Sequence, residues 1–381
     1  MNPTLILTLG AFILGTELFV IAGILPALAH DLGVGIPAAG QLVTAFALTY
    51  AVGAPLLATL TGAVPRRRLL TASMSGFALA NLLAAWAPGY ATMLLARIAA
   101  ALSSCLFFPT ALALAAHMAP AAKRGRALAL VMLGLNVSTV LGVPVGISLS
   151  LAWGWRWVFG AISLGAILVA LAVRLWLPEV PPAAPTSLPE RIAVLWAPGV
   201  ARGLALTTAV LLSVYAVYTY LSPILLHRAG LHSPDIARLL LVFGATSAAG
   251  AWLGGWLTDR LGSEALLKVT LAVLAATMTG FSFAAHSFAS CAVLLGLWGL
   301  FGGAFNPAQQ HRLLGLAPAH PSAVLAWNSS SVYLGQALAA ASGGALLHLW
   351  GPDSLGWASG IFLALAATVL LQGHVRPASV G

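Results

Sequence analysis

The sequence predicts an all-α membrane protein with twelve transmembrane helices in two six-helix halves around a central cavity. Of the 381 residues, 60% are hydrophobic and only 7% are charged, whereas soluble domains carry about a quarter charged residues. Apolar runs of roughly 20 residues, enough to cross a bilayer, recur from one end of the chain to the other. The two halves of the chain also resemble each other in sequence.

The apolar runs give the order of the spans. They begin near Thr4, Gln41, Leu69, Thr92, Ala127, Val158, Gly203, Ile236, Leu266, Cys291, Ala323 and Gly356. In lipid each run must form a helix, because an open strand or irregular backbone would leave N–H and C=O groups unpaired. A barrel is excluded since the runs lack the alternation that its strands of about ten residues require. The first run lacks the basic leader of a secretory signal, so we expect it to remain as span one.

The seventeen Lys and Arg residues fall mainly on one side of these spans. With the N-terminus in the cytoplasm, Arg156, Arg228 and Arg238 lie in outer loops and Arg97 lies within a span. The other thirteen lie on the inner side: Arg66, Arg67, Arg68, Lys123, Arg124, Arg126, Arg174, Arg191, Arg202, Arg260, Lys268, Arg312 and Arg376. This bias follows the positive-inside rule, so the net charge of +9 reflects topology and not a nucleic-acid site. We expect a multi-pass protein of the inner (plasma) membrane with both termini in the cytoplasm.

A proline-rich break divides the chain between spans six and seven. It contains Pro178, Pro181, Pro182, Pro185, Pro189 and Pro198, a composition typical of an extended linker. The predicted domains are residues 1–177, a cytoplasmic linker at 178–202, and residues 203–381. At a constant offset of 197 residues, Leu60 and Thr61 match Leu257 and Thr258. In a second match, NVSTVLG from Asn136 pairs with NSSSVYLG from Asn328 with one inserted residue. Parallel repeats of this kind are a recurring plan of transporters.

Two charged residues are predicted to lie within the membrane, Glu17 in span one and Arg97 in span four. At about 1.5 Å of rise per residue, they lie roughly 13 and 9 Å from the outer ends of their helices, so they can pair. Burial disfavours the charged form of a carboxylate and a nearby cation favours it. A movement that separates the two would therefore exchange a proton. The alternatives are a structural glutamate and an arginine that extends to the headgroups.

Span five contains Gly142, Pro144 and Gly146. Glycines let helices approach closely, and proline removes a backbone hydrogen bond. We therefore expect a bent, tightly packed hinge, with plain helix packing as the alternative.

Polar and aromatic side chains predicted near mid-membrane outline the substrate cavity. They are Tyr50, Ser104, Asn136, Thr139, Tyr215, Tyr218 and Gln336. Such a cavity is mainly apolar, which suits a small amphipathic solute that is neutral or cationic. Each residue alone is also compatible with a hydrogen bond between helices or with a core aromatic position.

Four segments resemble the major facilitator superfamily, and within it the twelve-span drug/proton antiporter branch. They are GTELFVIAGILPALA from Gly15, LLARIAAALSS around Arg97, GVPVG from Gly142 and GGWLTDRLG from Gly254. Thr-Glu in span one together with a Pro-Arg-Arg-Arg loop is similar to bacterial chloramphenicol exporters and arabinose-efflux-like permeases. The resemblance implies the major facilitator fold, proton-coupled export, a proton-coupling role for Arg97, and an antiporter signature at residues 142–146.

The loop after span two departs from the pattern of that family. It reads TGAVPRRR from Thr61, without the Asp of the family's Gly-x-x-x-Asp-Arg core, whereas the second copy keeps Asp259 and Arg260. The candidates for a cytoplasmic gate, implied by the resemblance, are Arg66, Arg67, Arg68, Asp259 and Arg260. Whether the first loop gates without its Asp stays open at this point.

The sequence favours a proton-coupled secondary transporter that exports small amphipathic solutes or drugs, chloramphenicol-like compounds among them. A nutrient-type permease or an exporter of sugars or nucleobases is the second hypothesis, and a membrane scaffold or enzyme is the third. An enzyme is disfavoured because the chain has no nucleotide-binding Gly-rich loop, no paired carboxylates and no clustered Cys or His. The expected partners are a small-molecule substrate, protons and membrane lipid. We expect a monomer without nucleic acid, metal or cofactor.

Overall fold

A computed structural model describes residues 3–120, 123–180 and 192–371. Every regular element among these residues is a helix. Eleven helical segments in the described part are long and apolar enough to cross a membrane, and the last helix, of 19 residues, takes the position of the twelfth span. The predicted all-α architecture of membrane-spanning helices is confirmed.

The helices have the following bounds: α1 Pro3–Asp31, α2 Ile36–Leu60, α3 Arg66–Ala85, α4 Tyr90–Met118, α5 Arg124–Val137, α6 Val143–Trp153, α7 Trp155–Trp176, α8 Val200–Thr219, α9 Leu221–Ala229, α10 Ser233–Leu261, α11 Ser263–Phe283, α12 Phe288–Leu316, α13 Pro321–Trp350 and α14 Asp353–Leu371. Together α5 and α6 form span five, and α8 and α9 form span seven. Each span begins one to five residues before the apolar run that predicts it, because its first turn carries polar or interfacial residues such as Arg66, Arg124 and Ser233.

Two spans are interrupted. A π-helical turn at Ser138–Gly142 separates α5 from α6. It lies directly before Pro144, whose ring is incompatible with a regular helical turn, and π-turns often occur at functional sites. Span seven breaks at Tyr220, where α8 ends and α9 begins. The hydropathy pattern predicts neither interruption, because both leave the apolar run continuous.

The two ends of the helix bundle differ in charge. The end at which α1 begins carries eleven of the described Lys and Arg residues and is called here the basic face: Arg66, Arg67, Arg68, Lys123, Arg124, Arg126, Arg174, Arg202, Arg260, Lys268 and Arg312. The end at which α1 stops, called here the opposite face, carries Arg156, Arg228 and Arg238. Arg191 and Arg376 lie outside the described residues.

Each half contains an ion pair at the opposite face, and the two pairs are related by the sequence repeat. In the first half Asp31 pairs with Arg156 at 3.4 Å, and in the second half Arg228 pairs with Asp353 at 2.8 Å. Both positions of the first pair map onto the second at the offset of 197 residues, with the two charges exchanged. Each arginine also donates to a backbone carbonyl at the end of the third helix of its half, namely those of Ala87 and Ser282. The repeat is therefore structural as well as sequential.

The two halves touch near the opposite face. The Tyr218 hydroxyl of α8 donates to the Phe19 carbonyl of α1 at 3.1 Å, and the Ser222 hydroxyl of α9 donates to the Ala22 carbonyl at 2.7 Å. The largest hydrophobic cluster contains residues of both halves. The halves are thus joined from this face towards mid-membrane.

A separate hydrophobic cluster lies at the basic face. Its buried members are Val194 and Val200 of the predicted linker and Leu204, Leu313, Ala317 and Val324 of the second half. Among the described residues no ion pair joins the two halves: Arg67 and Arg68 pair with Glu179 of the predicted linker, and each other pair lies within one half. The second half therefore packs on itself at the basic face. Residues 181–191 of the predicted linker lie outside the described residues, and the domain boundaries stay a prediction.

Candidate functional site

A buried ion pair lies at the centre of the first half. Glu17 is in the middle of α1 and Arg97 lies two turns into α4, and each side chain is 1% exposed. The Arg97 guanidinium pairs with the Glu17 carboxylate. Apart from this pairing, neither group has a hydrogen-bond partner among the described residues. The two charges therefore depend on each other for their stabilisation in the membrane.

An aromatic ring lies against the same guanidinium. The Arg97 guanidinium carbon is 4.5 Å from the centroid of the Phe46 ring on α2, the geometry of a cation–π interaction. Arg97 is thus contacted by helices one and two of the bundle while it projects from the fourth. Tyr50 follows Phe46 by one helical turn, with 6.4 Å between the ring centroids.

Tyr50 connects the two halves at mid-membrane. Its ring stacks on Tyr333 of α13, with 3.6 Å between centroids and an interplanar angle of 21°. Tyr50 is buried, and Tyr333 packs against the core. The predicted cavity residue Tyr50 is therefore part of a contact between halves in this conformation.

A second aromatic group surrounds Tyr218. Its ring centroid lies 5.5 Å from that of Tyr215, 5.7 Å from Phe243 and 5.9 Å from Trp298. Phe19 of α1 contacts the same tyrosine edge-on at 6.1 Å. The predicted residues Tyr215 and Tyr218 thus lie together on α8, in contact with the first half.

The remaining predicted cavity residues are more scattered. The Ser104 hydroxyl donates to the Ala101 carbonyl of its own helix at 3.1 Å, and Thr139 donates to the Asn136 carbonyl at 2.7 Å. Asn136 and Thr139 are half-buried in span five. Gln336 is buried, and its side-chain oxygen has no hydrogen-bond partner among the described residues. Gln336 therefore has a buried acceptor without a partner in the described part of the chain, and its place in a substrate cavity stays a prediction.

The predicted hinge segment packs closely on α1. A Cβ atom added at Gly142 would collide with Thr16, and one added at Gly146 would collide with Val20. Gly142 is the last residue of the π-turn. Pro144 lines a crevice of about 530 Å³ between α6 and α10. Both glycines are thus required for close approach, while the hinge role stays a prediction.

The first gate candidates pair with a residue that the sequence analysis did not select. Arg67 and Arg68 contact the Glu179 carboxylate at 3.1 and 3.3 Å, and the Arg66 backbone N–H donates to the Val180 carbonyl at 3.3 Å. Glu179 therefore supplies an acidic partner for a loop that lacks the Asp of the family pattern.

The second gate candidates remain separate from the first in this conformation. Asp259 has no ion pair among the described residues. The Arg260 guanidinium lies 4.0 Å from the centroid of the Trp256 ring. The five gate candidates are thus not brought together.

Where the first half has a buried ion pair, the described residues of the second half have a buried polar network without charge. Gln309 donates to the Gly203 carbonyl at 2.6 Å and to the Thr207 hydroxyl at 3.0 Å. Thr207 in turn donates to the side-chain oxygen of Asn328 at 2.8 Å. Asn328 is the first residue of the repeated NSSSVYLG segment. The repeat therefore draws attention to Asn328 but does not predict its hydrogen bond to Thr207.

Sequence reasoning missed three residues that contact the candidate site or gate. Tyr333 is the residue inserted in the second repeat segment, and that irregularity was an available signal. Phe46 lies in an apolar run and carries no signal of its own. Glu179 follows the sixth span directly, where a charged loop residue is ordinary.

The sequence is similar to a known protein family and to individual members of it. The family model described as Major Facilitator Superfamily matches residues 7–311. The chain is 33% identical to the inner membrane transport protein YdhP of Escherichia coli (strain K12), over 91% of this chain and 88% of that protein. It is 32% identical to a chloramphenicol resistance protein of Streptomyces lividans, over 96% of this chain and 95% of that protein.

A solved structure shows the same fold. A bacterial homologue of the human lysosomal transporter Spinster, crystallised in an inward-facing and occupied conformation, superposes with a TM-score of 0.81 at 18% identity. The match covers 97% of this chain and 96% of that chain. The predicted arrangement of two six-helix halves is confirmed by this likeness.

Proposed function

This chain belongs to the major facilitator superfamily of multi-pass inner-membrane transporters, and within it we propose a proton-coupled exporter of small amphipathic solutes. The observation that carries the proposal is the buried ion pair between Glu17 and Arg97. Ionisable residues inside a membrane are costly and are usually kept for a transport or relay function. A purely structural role is a poor explanation of two charges that have no other hydrogen-bond partners in the described part of the chain.

Proton binding to Glu17 changes what the pair can do. When the carboxylate is charged, it neutralises Arg97 and the two groups attract each other. When the carboxylate takes up a proton, the attraction is lost and Arg97 is free to change its position. An alternating-access cycle uses such a step if one conformation holds the pair together and the other separates it, because each state then has a different affinity for the proton.

The described conformation corresponds to one end of that cycle. The halves touch near the opposite face, and the second half packs on itself at the basic face. The positive-inside rule assigns the basic face to the cytoplasm. We therefore propose that this state receives solute from the cytoplasm, and that the opposite face opens to release it.

The solute class follows from the side chains near the pair. The rings of Phe46, Tyr50 and Tyr333 continue from the pair, and Gln336, one turn after Tyr333 on α13, keeps a side-chain oxygen without a hydrogen-bond partner among the described residues. Such surroundings favour an apolar or aromatic molecule with a few hydrogen-bonding groups. A relative is called a chloramphenicol resistance protein, so chloramphenicol is the first probe that we propose.

Everted membrane vesicles test the proposal. With an acidic interior, the wild-type protein should accumulate radiolabelled chloramphenicol against its gradient. Glu17→Gln keeps the shape of the side chain but cannot titrate, so it should abolish accumulation and retain passive exchange. Glu264→Gln is the matched control, since Glu264 lies at the basic face and pairs with Lys268, and it should leave accumulation intact.

Two outcomes would contradict this function. Accumulation by Glu17→Gln with normal proton flux would show that the carboxylate is structural. Uptake into right-side-out cells, with none into everted vesicles, would favour the nutrient permease instead.

A further inference from the structure

A continuous line of side-chain contacts leads from the ion pair to the second half. Arg97 lies against the Phe46 ring at 4.5 Å, and Phe46 is followed by Tyr50 at 6.4 Å. Tyr50 stacks on Tyr333 at 3.6 Å. We name Phe46, Tyr50 and Tyr333 the aromatic column. It joins the charged groups of one half to a helix of the other through a series of aromatic rings.

Arg97 is held between two partners of different kinds. On one side is the Glu17 carboxylate, and on the other is the π-face of Phe46. A proton on Glu17 removes the first attraction but leaves the second, because the ring quadrupole does not titrate. In a desolvated setting a cation–π contact is worth up to about a 30-fold change in an equilibrium constant. Phe46 should therefore matter more to the protonated state than to the ion-paired state.

The tyrosine stack has the opposite preference. It is present in the conformation that also holds the ion pair, so it stabilises that state. Phe46 and Tyr50 lie on one face of α2, since residues four apart are neighbours on a helix. A displacement of Phe46 with Arg97 is thus a displacement of the helix that carries half of the stack.

We propose that the aromatic column couples the charge state of Glu17 to the contact between the two halves. The inference rests on the proposed function, since it takes Glu17 to be the proton site. Phe46 acts as a positioning residue for Arg97, and Tyr50 with Tyr333 forms the contact that the movement breaks. Coupling of this kind is reciprocal, so weakening the stack must change proton binding at Glu17.

No other charged group of the described residues is buried beside the pair. In α1, α2, α4 and the helices packed on them, the other charged and imidazole groups of the described residues lie towards helix ends: His30, Asp31, Arg66, Arg67, Arg68, His117, Arg124, Arg126, Arg156, Arg174, Arg202, His227, Arg228, Asp235, Arg238, Asp259, Arg260 and His348. The other titratable groups of the described residues in or against the core are the thiols of Cys105 and Cys291 and the hydroxyls of Tyr50, Tyr90, Tyr215, Tyr218, Tyr220 and Tyr333. These groups are neutral at physiological pH, so the pH response should originate at Glu17.

Spin labels on the basic face measure the coupling without knowledge of the solute. Gly125 in the first half and Gly315 in the second are exposed, and a Cβ atom at either site meets no neighbour within 4 Å. Cysteines at these positions report the separation of the halves by pulsed electron resonance in liposomes. The fraction of each conformation as a function of pH then gives a midpoint.

Phe46→Leu and Tyr333→Leu should move the midpoint in opposite directions. Phe46→Leu weakens the protonated state, so the midpoint should fall by about half to one pH unit, equivalent to a threefold to tenfold lower proton affinity. Tyr333→Leu weakens the paired state, so the midpoint should rise by a similar amount. Phe46→Trp restores an aromatic face and should return the midpoint towards that of the wild type.

A control separates coupling from general loosening. Phe159 is fully buried and packs edge-on against Trp155 within the first half at 6.0 Å. Phe159→Leu removes the same kind of ring from the hydrophobic core of the first half and should leave the midpoint unchanged. Midpoint shifts of equal sign in Phe46→Leu and Tyr333→Leu, or no shift in either variant, would overturn the coupling proposed for the aromatic column.

Glu17→Gln distinguishes a failure of the aromatic column from a failure of the proposed proton site. If this variant no longer responds to pH while the column variants fail to shift the midpoint, the column is wrong and the proton site stands. If Glu17→Gln still responds to pH, or if the wild type does not respond, the proposed proton site is wrong and the column falls with it.

Discussion

Removal of Arg97 tests the energetic dependence of the buried pair. Arg97→Leu leaves the Glu17 carboxylate buried, with no hydrogen-bond partner among the described residues. Breaking a buried ion pair by truncating one partner costs about 3–5 kcal/mol, and the full range applies because both side chains are 1% exposed. The double variant, with Glu17→Gln added, removes the uncompensated charge and should recover most of this loss.

The loss can be measured as a change in melting temperature in detergent. Unfolding entropy of about 2.1 cal/mol/K per residue, applied to 381 residues, gives roughly 1.3 °C for each kcal/mol. Arg97→Leu should therefore melt about 4 to 6 °C below the wild type at neutral pH, and the double variant within about 2 °C of it. The deficit of Arg97→Leu should shrink as the pH falls, because the protonated carboxyl carries no charge. A single variant as stable as the double variant at neutral pH would refute the reasoning.

Further predictions concern topology, gating and the ion pairs at the opposite face. Reporter fusions in residues 181–189 should be cytoplasmic and those near Trp153 external; a periplasmic signal from the linker would exclude the twelve-span topology. Asp259→Asn should slow turnover in proteoliposomes while solute binding in detergent survives, because we expect Asp259 to pair with a cation only when the basic face closes; unchanged turnover would remove it from the gate. Asp353→Ala should lower the free energy of unfolding by about 1 kcal/mol, as the loss of exposed pairs does. The exchange Arg228→Asp with Asp353→Arg should recover part of this loss, because the first half carries its pair in that polarity. An exchanged pair less stable than either single variant would contradict the equivalence of the two sites.

Hydropathy predicts most of the fold because a run of about 20 apolar residues is enough to identify a membrane-spanning helix, without knowledge of how the rest of the chain folds. Every run of apolar residues must become a helix, and charges such as Arg66 and Asp353 can lie only near helix ends. The break at Tyr220 and the π-turn before Pro144 escape hydropathy, since both lie within apolar segments. Pro144 itself predicts a bend in span five but not that the bend is a π-turn.

The candidate site is predictable in its charged part and much less so in its aromatic part. Glu17 and Arg97 are conspicuous because charge within lipid is costly, and helix geometry alone places them at similar depths. Phe46 and Tyr333 look like ordinary membrane residues, and their contacts arise only when α2 meets α4 and α13. Their identification therefore required the packing between helices and between halves.

The confinement of buried charge to the first half has an electrical consequence. Among the described residues, Glu17 and Arg97 are the charged side chains that are buried, and as an ion pair they cancel. A protonated Glu17 leaves the positive charge of Arg97 uncompensated within the membrane field. Moving one elementary charge across that field corresponds to about 2.3 kcal/mol per 100 mV. The membrane potential would then act on the proton-loaded form through the first six spans, since the described residues of the second half include no buried charge.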